Sequence, residues 1–361
     1  NPLDPGDLHH ALQQLEGEAR KDLTDYYNDT RAALMEVLLT IMRTGRENDT
    51  DAGARGVTAR ESDILSVAVR VLHDRHGGDP QPPVIADLRD LLREGPGEVR
   101  TAAVWDDPEN DELYRAQVRG LLADLHGFSN RMTKFGRLFG DQTTARIDLS
   151  RPVDFDISAL AQSGDDVVAA VLATTWTSAF AAKNAADVLA EEGLQPRRNH
   201  VIIMDEMHRA LRASPLMVEK LDLLTRLNRQ WGVGQIMITH TFKDLMCMET
   251  PAQNTKARGF VERSEIKVLG ALSRIEVDRY LRGECGLPVS RREEDMLEDW
   301  ATPVNFGSDA SHKGLGRFLI KLGGLPGIPI NVEMCPLEKS GFNDTNLKWP
   351  YKTGSRYTHN V

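Results

Sequence analysis

Apolar residues recur every three or four positions along the first 145 residues, which is the spacing of one face of an α-helix. Two such sets are Leu8, Leu12 and Leu15, and Leu34, Val37, Leu38 and Ile41. Thr58 and Glu61 have the spacing of a capping box, which predicts a helix that begins beside them. No β-type alternation stands out in this region, so residues 1–145 are predicted to be all helical.

The hydrophobic pattern changes near residue 145, where short apolar runs begin to alternate with helical segments. A long apolar helix is predicted at 166–193, closed by Gly193, and Ser214 and Pro215 have the types that open another helix. Strands are predicted at residues 153–157, 200–206, 234–241 and 265–272, and a β-hairpin at 316–334. Strands that alternate with helices are typical of a parallel sheet, so this part is predicted to have an α/β fold.

Charge and cysteine content narrow the range of functions. The 361 residues carry a net charge of −10, which argues against a generally basic surface that coats nucleic acid but not against a local basic channel. The three cysteines, Cys247, Cys285 and Cys335, lie far apart and lack CxxC spacing. This favours a reducing compartment over a disulfide framework or a zinc site. No apolar run approaches the roughly 20 residues of a membrane span.

Two adjacent carboxylates follow the most apolar of the predicted strands. In the stretch VIIMDEMHRAL, residues 201–211, four apolar residues run directly into Asp205 and Glu206. Open α/β sheets bind ligands at such strand ends, and in P-loop NTPases the Asp holds Mg²⁺ while a neighbouring residue orients the attacking water. These roles would fall to Asp205 and Glu206. The alternative is that the pair only caps a strand, and the apolar context favours the nucleotide hypothesis.

The next predicted strand ends in Thr239 and His240, where a polar residue can sense a γ-phosphate; the alternative is an ordinary surface histidine. In the helix between the two strands, Arg226 and Arg229 are three residues apart and share a face. They are candidates for arginine fingers that act on a neighbouring subunit, or else form a solvated helix face. The apolar stripe predicted for that helix is Met217, Leu221, Leu224, Leu227 and Trp231.

The sequence lacks the motif that would complete such a site. No GxxxxGK[ST] occurs in the 361 residues, although several glycine-containing stretches are present. In P-loop NTPases this loop cradles the phosphates through its backbone amides, its lysine and its hydroxyl. The chain therefore contains a predicted Asp-Glu half of a nucleotide site without the phosphate-binding half.

Five segments, in this order, resemble the ATPase domain of the conjugative-transfer and type IV secretion ATPases of the VirB/TraC class, relatives of the HerA/FtsK motors. They are NPLD (1–4), LFGDQTTARIDLSRPVDFDISAL (138–160), VIIMDEMHRAL (201–211), TRLNRQWGVGQIMITHTFKDL (225–245) and GRFLIKLGGLPGIPINVEMCPLEK (316–339). The chain departs from the family pattern at two positions. His240 stands where Gln is common, and Gln230 follows Arg229 where Lys is common.

The resemblance implies a RecA-like core of mostly parallel strands at residues 146–361, with a terminal β-hairpin, and an all-helical insertion at 1–145. It implies a hexameric ATPase, in full-length form, that uses ATP and Mg²⁺ to drive substrate export or pilus assembly. The site it implies consists of Asp205 as metal and nucleotide ligand, Thr239 as nucleotide ligand, Glu206 as base, His240 as sensor, and Arg226 or Arg229 as finger. Arg258, Arg263 and Arg317 are the next candidates for the finger.

The resemblance also implies partners and a location. The implied partners are other copies of the protein, secretion-channel or coupling proteins, and DNA or a relaxase–DNA complex as substrate. The implied location is peripheral, at the cytoplasmic face of the inner membrane. The Walker A loop is expected upstream of Asn1, so that the 361 residues alone are inactive. Two alternatives stay open: a non-catalytic docking module of the secretion machine, and a DNA-pumping motor of the HerA/FtsK type.

Overall fold

The structure is a computed structural model of the chain. It describes residues 1–4, 6–44, 56–76, 81–103, 111–144, 147–148, 150–160, 163–213, 218, 221–222, 225–226, 228–229, 231–246, 250–303, 313–333, 335–336 and 338. The chain divides into two compact units. The first comprises Asn1–Ile202, Arg209–Met217 and Gln230–Gly234, and the second comprises Ile203–His208, Val218–Arg229 and Gln235–Val361.

Helices account for nearly all regular structure in the first unit. Its helices are α1 (Asp7–Gln14), α2 (Gly17–Thr44), α3 (Ala59–His76), α4 (Ile85–Glu94), α5 (Gly97–Ala102), α6 (Asp111–Ser129), α7 (Lys134–Phe139) and α8 (Asp165–Glu191). Thr58 and Glu61 form the predicted capping box, since each accepts the other's backbone N–H. For the described residues up to 144, the predicted helical character is confirmed, and α8 confirms the long apolar helix.

The core of this unit lies between α2, α3, α4 and α6, and the first turns of α8 belong to it through Val167, Ala169, Ala170 and Ala173. One ion-pair network crosses its rim. Arg43 on α2 contacts Glu61 of α3 at 2.6 Å and Asp124 of α6 at 2.8 Å. All three side chains are at most 16% exposed, so each ion is largely withdrawn from solvent.

Both ends of the helical segment lie at one loop. The side-chain amide of Asn1 donates to the carbonyl of Pro83 at 3.0 Å, and that of Gln142 donates to the carbonyl of Pro82 at 2.7 Å. The side chains of Asn1 and Gln142 therefore contact neighbouring residues of the same loop. The predicted boundary between residues 145 and 146 stays a prediction.

Two strands and the helix that follows the first of them form the region predicted to carry the site. They are β1 (His200–Met204), α9 (Met207–Ala213) and β2 (Val233–Met237). The amide of His200 donates to Gly232 at one end of the pair, and the amide of Ile238 donates to Met204 at the other. Because the partner numbers rise together along both strands, β1 and β2 run parallel.

The rest of the second unit combines helices with an antiparallel sheet. The elements are α10 (Phe242–Met246), α11 (Pro251–Arg263), β3 (Ile266–Leu269), a π-helix (Glu276–Glu284), α12 (Arg291–Ala301), β4 (Arg317–Leu322) and β5 (Ile328–Asn331). β4 lies between β3 and β5, with Ile266 opposite Leu322 and Ile320 opposite Ile328. The predicted terminal hairpin is thus confirmed. The described fold is mixed α/β, and a mostly parallel sheet stays a prediction.

Two expectations are wrong. Residues 153–157 are extended but form no strand, and Val153 and Phe155 are 39% and 37% exposed. Their alternation with Asp154 and Asp156 mimics a strand, yet no described strand lies beside them to accept their backbone hydrogen bonds. Trp231 lies in the turn before β2 and is 38% exposed, so it is not part of a buried helix stripe. None of the described helices is long and apolar enough to cross a membrane.

Candidate functional site

β1 turns into α9 through only two residues, Asp205 and Glu206, at the C-terminal end of the parallel pair. Glu206 adopts φ 52°, a left-handed backbone conformation that residues other than Gly, Asn and Asp seldom adopt. Asp205 stabilises the turn, because its Oδ1 accepts the N–H of Glu206 at 2.9 Å. The first amide of α9, at Met207, donates to the carbonyl of Ile238 at 3.1 Å. The turn is therefore fixed against the end of β2.

The carboxylate of Glu206 lies between two imidazoles. Its Oε1 is 2.6 Å from Nε2 of His240, which is within ion-pair distance. Its Oε2 is 3.5 Å from Nε2 of His208, at the limit of a hydrogen bond. The structure thus brings together Glu206 and His240, which the sequence places 34 positions apart. Their assigned roles as base and sensor stay predictions.

His208 is the member of this cluster that sequence reasoning missed. It lies in the first turn of α9 and is 9% exposed, whereas the side chain of His240 is 72% exposed. Its Nδ1 is 3.5 Å from Oγ1 of Thr239, and the centroid of its ring is 5.8 Å from that of His240. The sequence feature that could have indicated it is a histidine two residues after Glu206 and four residues after the end of the strand. Its importance depends on the turn conformation, which the residue types do not reveal.

The donor set at this strand end fits Mg²⁺ in one specific way. Asp205 is exposed and offers carboxylate oxygens, the ligand type that Mg²⁺ prefers. No group of three His, Cys, Asp or Glu able to hold a metal occurs among the residues that the structure describes. Mg²⁺ in NTPases is typically held by one or two carboxylates together with the phosphates of the nucleotide. Asp205 thus fits a metal that arrives with a nucleotide.

The predicted arginine Arg226 belongs to a different cluster, around Asp222. Nε of Arg226 donates to Asp222 at 2.9 Å, and Nη2 of Arg263 donates to the other oxygen of Asp222 at 2.5 Å. Arg229 is exposed. Within the described part of the chain, no hydrogen bond or ion pair joins these arginines to Glu206. The structure therefore assembles Asp205, Glu206, Thr239 and His240 at one strand end and leaves both predicted fingers outside that assembly.

Comparisons with known proteins agree with the architecture. No family model matches the sequence, and no curated protein matches it. Five chains of solved structures match the fold. One is VirB4 of Thermoanaerobacter pseudethanolicus, which is 18% identical with a TM-score of 0.55, over 86% of this chain and 70% of the VirB4 chain. At this identity the likeness establishes a shared fold, and the chemistry has to be argued from the residues themselves.

Proposed function

We propose that this chain contributes the Walker B half of an ATP site in a type IV secretion motor. The observation that carries the proposal is the contact of 2.6 Å between Glu206 and His240, at the C-terminal end of two parallel strands. A carboxylate that follows Asp205 and pairs with a polar group on the neighbouring strand is the arrangement that water activation and phosphate sensing require. The likeness of the fold to VirB4 supports the same class of motor.

Each residue has a defined part in this proposal. Asp205 would hold the nucleotide-bound Mg²⁺, which neutralises charge on the phosphates when present, and Thr239 would contact the nucleotide. Glu206 would accept a proton from the attacking water, and His240 would donate a hydrogen bond to the γ-phosphate. The RecA-like sheet and the insertion of residues 1–145 belong to the same proposal. The insertion is supported by the two ends that meet at Pro82 and Pro83.

Glu206→Gln in the full natural protein tests the proposal. Glutamine keeps the size of the side chain but cannot accept the proton, so ATP binding should persist while hydrolysis falls roughly 10²- to 10⁴-fold. Asp205→Asn should instead weaken Mg²⁺-dependent nucleotide binding. Glu262→Gln is the matched control, because Glu262 is an exposed glutamate of the same unit. Unchanged affinity and turnover in both site variants would leave the pair as a strand cap.

The ring assembly is the second part of the proposal. In the hexamer, Arg226 or Arg229 would reach the site of a neighbouring subunit, which agrees with their place outside the cluster of Glu206. An arginine finger contributes on the order of 10³- to 10⁵-fold in rate. An Arg226→Ala or Arg229→Ala subunit mixed into wild-type rings should therefore inhibit its neighbours. Linear dilution of activity by both variants would remove these two arginines from the mechanism.

The proposed partners are secretion-channel or coupling proteins at the cytoplasmic face of the membrane, with DNA or a relaxase–DNA complex as substrate. A non-catalytic docking module is the second candidate, and one observation favours it. The 361 residues contain no GxxxxGK[ST], so the phosphate-binding loop of this type is absent from them. Nucleotide binding by the full natural protein separates the two candidates, since a docking module would bind no ATP.

A further inference from the structure

We propose that His208 is the positioning residue of the site: it holds Glu206 from the buried side and couples it to Thr239. The effect on hydrolysis rests on the proposed function, but the arrangement of the three side chains does not. His208 is 9% exposed and lies in the first turn of α9. The amide of Met207 in that turn donates to the carbonyl of Ile238, just after β2, at 3.1 Å, and the amide of Ile238 donates to Met204, the last residue of β1, at 2.9 Å. It is therefore the rigid neighbour of Glu206.

The chemical nature of these side chains indicates which atom donates and which accepts each hydrogen bond in this cluster. An ionised carboxylate only accepts hydrogen bonds, so the ring nitrogen facing Glu206, Nε2, has to carry a proton. In a neutral imidazole the other nitrogen, Nδ1, is then an acceptor. Thr239 faces Nδ1 with a hydroxyl, which can donate. The same hydroxyl also lies 3.4 Å from the carbonyl of Thr241, so its one proton is directed to Nδ1 only when it turns away from that carbonyl. In that orientation the chain runs from the hydroxyl of Thr239 to His208, and from His208 to the carboxylate of Glu206.

Both contacts of His208 are 3.5 Å, which is long for a hydrogen bond. Catalytic hydrogen bonds are often long without substrate and shorten when it binds. A movement of about half an ångström would bring both contacts into the ordinary range. Because His208 contacts Oε2, it can retain the carboxylate while Oε1 separates from the exposed His240 and receives a water proton. Without His208, the remaining contact of the carboxylate among the described residues is the one with His240.

The competing explanation is that His208 merely fills space under the turn. Two substitutions of similar polarity separate the explanations. In His208→Gln the amide nitrogen can occupy the place of Nε2, so the donor to Glu206 is kept. In His208→Asn the shorter amide reaches only the place of Nδ1, so that donor is lost. If His208 only fills space, the two variants should differ only as their side-chain volumes and stabilities differ. If it positions Glu206, they should differ in turnover.

The kinetic experiment uses the full natural protein. His208→Asn should lower kcat for ATP roughly 10- to 100-fold with little change in KM, as expected when a catalytic group is misplaced by about 1 Å. His208→Gln should restore kcat to within a few-fold of wild type, and both variants should melt at the same temperature. His126→Asn, an exposed histidine of α6, is the control. Equal kcat values for the Gln and Asn variants would overturn the proposal.

A second measurement does not depend on hydrolysis. Nitrogen-15 chemical shifts of the His208 ring, in protein free of nucleotide, report which nitrogen carries the proton. We expect the Nε2–H form, with a shift that changes in Glu206→Gln and in Thr239→Val. A ring protonated on Nδ1, or a ring unaffected by both substitutions, would overturn the proposal. If the natural protein hydrolyses no ATP, the proposed function fails, and this measurement still decides the role of His208.

Discussion

Substitution of Glu293 should strongly destabilise the second unit, because one buried carboxylate holds three elements together. Its Oε1 accepts from Nζ of Lys321 on β4 at 2.9 Å and from the amide of Gly327 in the hairpin turn at 2.6 Å. Its Oε2 accepts the amide of Ser290 at 2.7 Å and caps α12. Glu293 is 6% and Lys321 1% exposed. Neither ion can turn to solvent if the other is removed.

The pKa of Glu293 sets the size of the effect. Burial opposes ionisation of the carboxyl, but the Ser290 amide, the Lys321 ammonium and the Gly327 amide together outweigh it and lower the pKa from 4.5 to about 2. One pKa unit corresponds to roughly 1.4 kcal/mol, so the ionised form contributes on the order of 3 kcal/mol to folding. As pH falls, the unfolded chain takes up this proton first. The contribution is therefore complete above about pH 4.5 and is lost as pH approaches 2.

Urea unfolding, followed through the fluorescence of buried Trp300 in the same unit, measures this contribution. Glu293→Gln should lower the free energy of unfolding by about 3 kcal/mol or more at pH 7, because it leaves the ammonium of Lys321 buried without an anion. It should also flatten the loss of stability between pH 5 and 3. Addition of Lys321→Met should recover part of the loss, since the double variant buries no charge. Glu298→Gln, a half-exposed glutamate on the same helix, is the control.

The reasoning would be refuted by a Glu293→Gln variant that unfolds at the wild-type urea concentration and keeps the wild-type pH dependence. In that case the carboxyl would already be protonated in the folded protein at neutral pH. A double variant less stable than Glu293→Gln would refute the second step, because Lys321 would then contribute through packing of its side chain and not through its charge.

Three further outcomes are expected. The 361-residue chain alone should release no phosphate from ATP, because no lysine or hydroxyl of a phosphate loop is present; measurable turnover would show that another loop does this work. Gly136→Ala should destabilise by about 2 kcal/mol or more in urea unfolding, since its Cβ would overlap the carbonyl oxygen of Asn130, whereas Gly97→Ala, with open space around it, should be neutral or stabilising. Arg43→Met should cost about 3 kcal/mol by leaving two carboxylates largely buried without their cation, and exposed Arg70→Met should cost little.

The helices and the hairpin could be predicted because local rules determine them. The capping box at Thr58 forms as its spacing predicts, since it needs only a side chain and an amide three residues apart. The strand predicted at 153–157 failed because a strand needs a neighbour, and alternation within one segment carries no information about it. The burial of Glu293 and Lys321 was equally hidden, because both residue types are usually exposed and only their pairing across the fold makes burial tolerable.

The site was predictable up to the point where backbone conformation decides it. Adjacent parallel strands end at the same edge of a sheet, so the meeting of Glu206 with His240 follows from the order of the elements. The role of His208 does not, because it depends on the left-handed turn at Glu206. If the backbone of Glu206 were helical, its side chain would point elsewhere. His208 would then be an ordinary buried histidine.

The backbone conformation of Glu206 bears on the choice between a functional site and a strand cap. A turn with φ 52° is adopted by glycine without strain and by asparagine or aspartate at small cost, and strained positions of other residues cost on the order of 1 kcal/mol or more. A cap would need only a short polar group, which Asp205 already supplies by accepting the following amide. A longer carboxylate in the strained position adds nothing to the cap. Its greater length places its two oxygens close to the exposed His240 on one side and to the buried His208 on the other. The strain at Glu206 is therefore better explained by the position of its carboxylate than by the stability of the turn.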